Sequence, residues 1–196
     1  MHDSQTSSDH ASMPNGRRFI LLDRDGTINV DRDYISDPDQ LELIPGVGPA
    51  LARLAALGCG LVVVTNQSGI GRGYYDQTAL AAVHARLEEL LAAEGVRLDG
   101  IFSCPHAPSD HCTCRKPATG LVEQAVARFG FDPKQSAMLG DKAADVELGQ
   151  RVGARTFLVR TGYGAETEQA GKATPDYVVD DLPAAVPLIE KLLFAR

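Results

Sequence analysis

The chain has 196 residues, 44% of them hydrophobic and 23% charged, with a formal net charge of -7. That length supplies one good hydrophobic core and is short for two, so a single folded unit over residues 17–196 is expected. The negative balance repels a phosphate backbone, which argues against nucleic acid as a partner, and apolar stretches such as LGCGLVVV are far too short to span a membrane.

Residues 1–16, MHDSQTSSDHASMPNG, are polar and lack an apolar h-region. They read as a disordered tail, neither a signal peptide nor a transit sequence. A cytoplasmic, reducing setting follows, in which the four cysteines serve as thiols or metal ligands.

Phe19 to Leu22 form a short continuous apolar run, the pattern of a buried strand, and Gly26 ends it. Between them, Asp23 and Asp25 sit two positions apart at the strand exit, which in a parallel sheet is the ligand-binding edge. Ordinary turn solvation also favours such acids. A calcium loop does not fit, because it requires Gly at its sixth position after a helix and Gly26 is fourth after a strand.

A second strand is expected over Leu61 to Thr65, ending in Thr65-Asn66-Gln67-Ser68 and a Gly-rich turn whose backbone N–H groups can cradle an anion. Cys59, before it, is most simply a buried core thiol. Asp76 can cap a helix that carries Leu80, Val83, Leu87, Leu90 and Leu91 and stops at Gly95. His84 on that helix receives no role.

The third strand, Gly100 to Ser103, runs into Cys104-Pro-His106 and Cys112-Thr-Cys114. Three thiolates and an imidazole at that spacing match a closed, structural zinc site, with His111 an alternative to His106. Thr119 precedes a helix with Val122, Ala125, Val126 and Phe129, ended by Gly130. Ala137 to Gly140 is the fourth strand, and Asp141, Lys142 and Asp145 follow, the last two opening a helix where an Asp is also ordinary capping. Thr156 to Arg160 and Tyr177 to Val179 complete the set. Alternating strands and helices with apolar runs in the strands predict a doubly wound α/β fold around a parallel sheet.

The strand ends carrying DRDGT at 23–27, Thr65 and GDKAAD at 140–145, together with Lys116, resemble the haloacid dehalogenase (HAD) superfamily of aspartate-nucleophile phosphatases. The likeness runs from about Phe19 to Tyr163. It implies that Asp23 attacks phosphorus, that Asp25 is the proton donor and acceptor, and that Thr65 and Lys116 hold the phosphoryl oxygens. It further implies a catalytic Mg²⁺ on Asp23, the Asp25 carbonyl and Asp141, beside the structural zinc on Cys104, His106, Cys112 and Cys114. Segments 26–60 and 104–114 leave no room for a large cap domain, so specificity must come from short loops.

Within the superfamily the zinc loop is similar to those of the heptose bisphosphate phosphatases and of the histidinol phosphatases, its His106–Cys112 gap closer to the latter, while TNQSGIGRG and GDK are similar to the heptose branch. That likeness implies a Mg²⁺-dependent hydrolysis of a C7 sugar phosphate in nucleotide-activated heptose and lipopolysaccharide synthesis. Substrate contacts are then expected from Asp31, Arg32, Asp33, Tyr34, Thr65, Asn66, Gln67, Ser68, Arg115, Lys116 and Lys142. The expected partner is a small sugar bisphosphate, and a monomer is expected. Histidinol phosphate, whose amine is cationic, is the rival substrate, and a non-catalytic zinc-containing binding module is the rival class.

Overall fold

The computed structural model describes residues 16–194, so the expected tail at 1–16 falls almost wholly outside the described residues. In chain order the elements are β1 (Phe19–Leu22), α1 (Val47–Ala56), β2 (Gly60–Asn66), α2 (Gln77–Ala93), β3 (Gly100–Cys104) and α3 (Gly120–Phe129). They continue with β4 (Ala137–Gly140), α4 (Ala143–Val152), β5 (Arg155–Val159), α5 (Gly164–Gln169), β6 (Tyr177–Val179) and α6 (Leu182–Phe194). All six strands are parallel, in the order β3-β2-β1-β4-β5-β6. The doubly wound α/β expectation therefore holds.

Strand alternation explains the apolar runs. In β1, Ile20 and Leu22 belong to the core on one face, while Phe19 and Leu21 belong to the core on the other. In β2 the same division separates Leu61 and Val63 from Val62 and Val64. The first core is closed by α1, α2 and α6 through Leu51, Leu54, Leu87, Leu91 and Ile189, and the second by α3 and α4 through Leu121, Val122, Ala125 and Leu148. Each such Leu, Ile, Val or Phe side chain contributes roughly 1.5–3 kcal/mol on burial, so a polar residue in the apolar run of β1 or β2 would be opposed on whichever face it met.

Asp76 caps α2 as expected, its carboxylate accepting from Ala79 N at 2.8 Å. Thr119 does not cap α3: it is already helical, and its hydroxyl bonds Glu123 Oε1 at 2.6 Å. A residue in helical conformation cannot turn its side chain back onto the first N–H groups. Cys59 is buried, and burial pushes its thiol up to about 11, as suits an inert core residue. His84 has no partner for Nε2, and burial pushes it down to about 4, so it stays neutral. Among the described residues no helix is long and apolar enough to cross a membrane.

The sheet order fixes where a ligand can sit. β1 is central, with connections leaving it toward β2 on one side and reaching β4 on the other. Adjacent strands whose connections diverge leave a crevice at their carboxyl ends. Asp23 follows β1 and Asp141 follows β4, and Asp23 N donates to Leu139 O at 2.9 Å across that gap.

Candidate active site

At the bottom of the crevice a single ammonium faces a crowd of carboxylates. Lys116 Nζ lies 2.7 Å from Asp23 Oδ1 and 2.7 Å from Asp145 Oδ1, and all three side chains are buried. Burial works against the Lys116 charge, but Asp145 and Asp23 outweigh it and hold the ammonium above its ordinary value. Asp145 does two jobs, because its Oδ2 also accepts from Lys142 N at 3.0 Å and so caps α4. Its role as partner of Lys116 is one that capping alone did not reveal. Asn66 grips the Lys116 peptide from β2, with Oδ1 accepting from Lys116 N at 2.9 Å and Nδ2 donating to Lys116 O at 3.2 Å.

Asp141 completes the crowd: Asp23, Asp141 and Asp145 bring carboxylate oxygens within 4.8 Å of one another. Burial first, and then the Asp23 charge, push the Asp141 carboxyl up to about 8. Its Oδ1 is buried without a hydrogen-bond partner, while Oδ2 accepts from Tyr163 N at 2.8 Å. An orphaned hard oxygen beside a second carboxylate, with more negative than positive charge around it, is a donor set suited to Mg²⁺. The residues present therefore fit that ion.

Two glycines make room for Asp141. Gly26 and Gly162 adopt φ of +81° and +56°, and a Cβ on either would overlap Asp141 Oδ2. The loop carrying Gly162 is tied down by Thr161 Oγ1, which donates to Gly26 O at 2.6 Å. Gly162→Ala is expected to displace Asp141 and weaken Mg²⁺ affinity by ~10- to 100-fold, the usual range for losing support behind a metal ligand. Titration calorimetry with Mg²⁺ reads this directly, and unchanged affinity would remove Asp141 from the ion site.

Asp25 stands apart from that cluster. Its carboxylate receives Arg24 Nε and Nη2 at 2.9 to 3.2 Å, Asn29 Nδ2 at 3.0 Å and Gln67 Nε2 at 2.9 Å. Burial pushes its carboxyl up, yet Arg24 with the Asn29 and Gln67 hydrogen bonds holds it below the ordinary value. Arg24 is itself fully buried. Neither Arg24 nor Asn29 was expected at the site, although a charged residue lodged between two motif acids was the available signal.

Above these groups opens a cleft of about 270 Å³. Asp23, Asp25, Asp31, Asp33, Tyr34, Thr65, Asn66, Gln67, Ser68, Arg115, Lys116 and Lys142 all line it, joined by Tyr75, Ala144 and Asp145. Arg32 does not line it and instead pairs with Glu42 at 2.6 Å on the surface. Lys142 Nζ is 3.0 Å from Asp31 Oδ2, so its charge is already partnered. Burial opposes that charge, but Asp141, Asp23 and Asp31 together raise Lys142 above its ordinary value. Asp33 and Tyr34 both sit at positive φ, 48° and 54°, with Asp31 Oδ1 accepting from Asp33 N at 3.0 Å.

Beside the cleft, Cys104, His106, Cys112 and Cys114 converge, while His111 lies outside the group on an exposed turn. The sulfurs are 3.2 to 3.5 Å apart and His106 Nδ1 is 3.3 Å from Cys114 Sγ and 3.6 Å from Cys104 Sγ. These separations are far beyond a disulfide bond of about 2.05 Å. They approach the edges of about 3.7 Å that a tetrahedron with metal–sulfur bonds of about 2.3 Å requires. Three thiols and an imidazole fit zinc.

Comparison with known proteins agrees with this geometry. Residues 113–185 match the family profile described as HAD-hyrolase-like. A D-glycero-beta-D-manno-heptose-1,7-bisphosphate 7-phosphatase of Pseudomonas aeruginosa is 44% identical over 86% of this chain and 95% of its own length. The enzyme of that name from Haemophilus ducreyi is 41% identical over 89% of this chain and 99% of its own. In three dimensions, the D,D-heptose 1,7-bisphosphate phosphatase of B. bronchiseptica complexed with magnesium and phosphate aligns with a TM-score of 0.84 at 36% identity. That alignment covers 89% of this chain and 98% of the other.

Proposed function

The chain belongs to the HAD-like hydrolases, in the D-glycero-beta-D-manno-heptose-1,7-bisphosphate 7-phosphatase family, and from that premise we propose that it cleaves the C7 phosphate of a heptose 1,7-bisphosphate through Asp23. The observation that carries the chemistry is Lys116 Nζ held 2.7 Å from Asp23 Oδ1 at the floor of the cleft. A phosphate monoester is anionic and its alkoxide leaves poorly, so a nucleophile, a counter-charge and a proton donor are all required.

Asp23 attacks phosphorus as the C7–O–P bond breaks, forming an aspartyl phosphate. Asp25 gives its proton to the departing C7 oxygen, then takes one from the water that attacks the aspartyl phosphate and returns Asp23 as carboxylate. The phosphate's own charge, arriving beside Asp25, counters Arg24 and favours the protonated acid that the first step uses. Thr65 and Lys116 hold the phosphoryl oxygens. Mg²⁺ bound by Asp23, the Asp25 main-chain carbonyl and Asp141 would offset the excess negative charge and stabilise charge developing on the phosphoryl group. Zinc on Cys104, His106, Cys112 and Cys114 would be structural, since four protein ligands leave no open position.

The C1 phosphate then lies toward Arg115, which lines the cleft and whose guanidinium makes one long contact, 3.4 Å to His106 O. Histidinol phosphate is disfavoured, because Asp31 is already neutralised by Lys142 and Asp33 accepts from the Tyr163 hydroxyl at 3.3 Å. The cytoplasmic synthesis of nucleotide-activated heptose is the setting in which a surviving C1 phosphate is needed.

Arg115→Ala is expected to cost ~1.5–3 kcal/mol in transition-state binding for the bisphosphate, a fall of roughly 10- to 150-fold in kcat/KM, and to matter much less for a monophosphate without the second anion. Phosphorus NMR of the wild-type reaction identifies which phosphate survives. Release from C1, or a higher kcat/KM for histidinol phosphate, would overturn the substrate while leaving the phosphatase chemistry in place.

A further inference from the structure

Gln67 is 3% exposed, and its amide makes every hydrogen bond open to it. Nε2 donates to Asp25 Oδ2 at 2.9 Å and to Thr65 Oγ1 at 2.9 Å, while Oε1 accepts from Tyr75 OH at 2.8 Å and Arg24 Nη2 at 3.1 Å. Its main-chain N donates to Cys104 O at 2.7 Å. Turning the amide over would set its oxygen against the Asp25 carboxylate and its NH₂ against the guanidinium, so one orientation is enforced. No bond remains for a sugar hydroxyl.

We propose that Gln67 is a positioning residue for proton transfer, fixed from the cleft rim by Tyr75, and that it holds Asp25 in register with the phosphoryl group. The proposal rests on Asp25 acting as the acid and base. Arg24 and Asn29 belong to the same turn as Asp25, so they orient its carboxylate only relative to that turn. Gln67 follows β2, and its bond to Oδ2 is the contact that ties the acid to the strand end carrying Thr65. Because the Thr65 hydroxyl accepts from Gln67, its one proton stays available for a phosphoryl oxygen. The same amide thus sets both the acid and the phosphate it serves.

The test exploits the leaving group. A sugar alkoxide needs a proton to depart, whereas p-nitrophenolate leaves as an anion, so a misplaced acid slows the first substrate and spares the second. We expect Gln67→Leu to lower the single-turnover rate of leaving-group release, which precedes the aspartyl-phosphate hydrolysis that both substrates share, by ~100-fold for heptose 1,7-bisphosphate and by less than ~10-fold for p-nitrophenyl phosphate, a displacement on the scale of 1 Å being enough. Any weakening of Thr65 affects both substrates and cancels in their ratio. Tyr75→Phe, which removes only a hydroxyl from a half-buried ring, should shift the ratio the same way by ~3- to 10-fold, a readout that stands even where Gln67→Leu fails to fold. Parallel losses on the two substrates, or a change confined to KM, would overturn the proposal. Asp25→Asn sets the full size of the effect: if it shows no leaving-group dependence, the acid–base role falls and this inference with it.

Discussion

Asp23→Asn should abolish phosphate release, by on the order of 10⁴ to 10⁶ in kcat, while leaving the fold intact. The loss follows from chemistry: an amide oxygen carries no charge with which to attack phosphorus, and no neighbour can substitute, because Asp145 is engaged by Lys116 and Asp25 is held by Arg24, Asn29 and Gln67. The Asp23 charge also has two opposed neighbours, the Lys116 ammonium at 2.7 Å and the Asp141 carboxylate. Asp23 is, after burial, the main cause of the raised Asp141 carboxyl, so neutralising it relieves a repulsion the folded state otherwise carries.

That repulsion has a pH signature. A carboxyl whose folded value rises from 3.8 to about 8 binds its proton more tightly when folded, so the Asp141 contribution to metal-free stability is fully present below about pH 4 and is lost as pH climbs toward 8. Thermal melts in chelator from pH 5 to pH 8 should fall for the wild type and fall less for Asp23→Asn. Wild-type-like turnover by the variant would eliminate the covalent mechanism.

The strands were legible because burial on both faces forces unbroken apolar runs, and the bounds of all six agree with expectation to within one residue at each end. Helices α1, α5 and α6 carried weaker signals. α5 spans only Gly164–Gln169, and α6 contains Pro187, a residue that ordinarily argues against a helix. Strand order was not legible at all, since pairing between β1 and β4 joins segments separated by more than a hundred residues of chain.

At the site, the acids and Lys116 announced themselves by motif, whereas the residues that hold them did not. Arg24, Asn29, Tyr75 and Gly162 have ordinary identities, and their roles exist only through convergence: Arg24 and Asn29 on Asp25, Tyr75 on Gln67, Gly162 against Asp141. Asn66 and Gln67 illustrate the reverse. Their position at the end of β2 suggests substrate contacts, and the structure engages the Gln67 amide fully within the protein and the Asn66 amide on the Lys116 backbone.

Zinc removal should have the second large effect, and it should act through Lys116. Cys104 ends β3, with its carbonyl accepting from Gln67 N at 2.7 Å, and Cys114 stands two residues before Lys116. The Cys104, His106, Cys112 and Cys114 cluster and Asn66 therefore hold Lys116 from two sides. Structural zinc binding is worth on the order of 10 kcal/mol at neutral pH. If Cys104→Ser forfeits a third of that, ~3 kcal/mol, Tm falls by roughly 6 to 12 °C for a chain of this size. Activity should fall by at least ~100-fold as Lys116 loses its register with Asp23. Gentle chelation of the wild type should instead remove activity that Mg²⁺ alone restores, with about one zinc per chain retained, because thiolate ligands release zinc far more slowly than carboxylates release Mg²⁺. Cys59→Ala, in the opposite core, serves as the control and should leave the zinc content unchanged. Elemental analysis settles the matter: native protein without zinc and with Cys104, Cys112 and Cys114 all titrating as free thiols would refute the site, and so would a zinc-free Cys104→Ser variant with full activity.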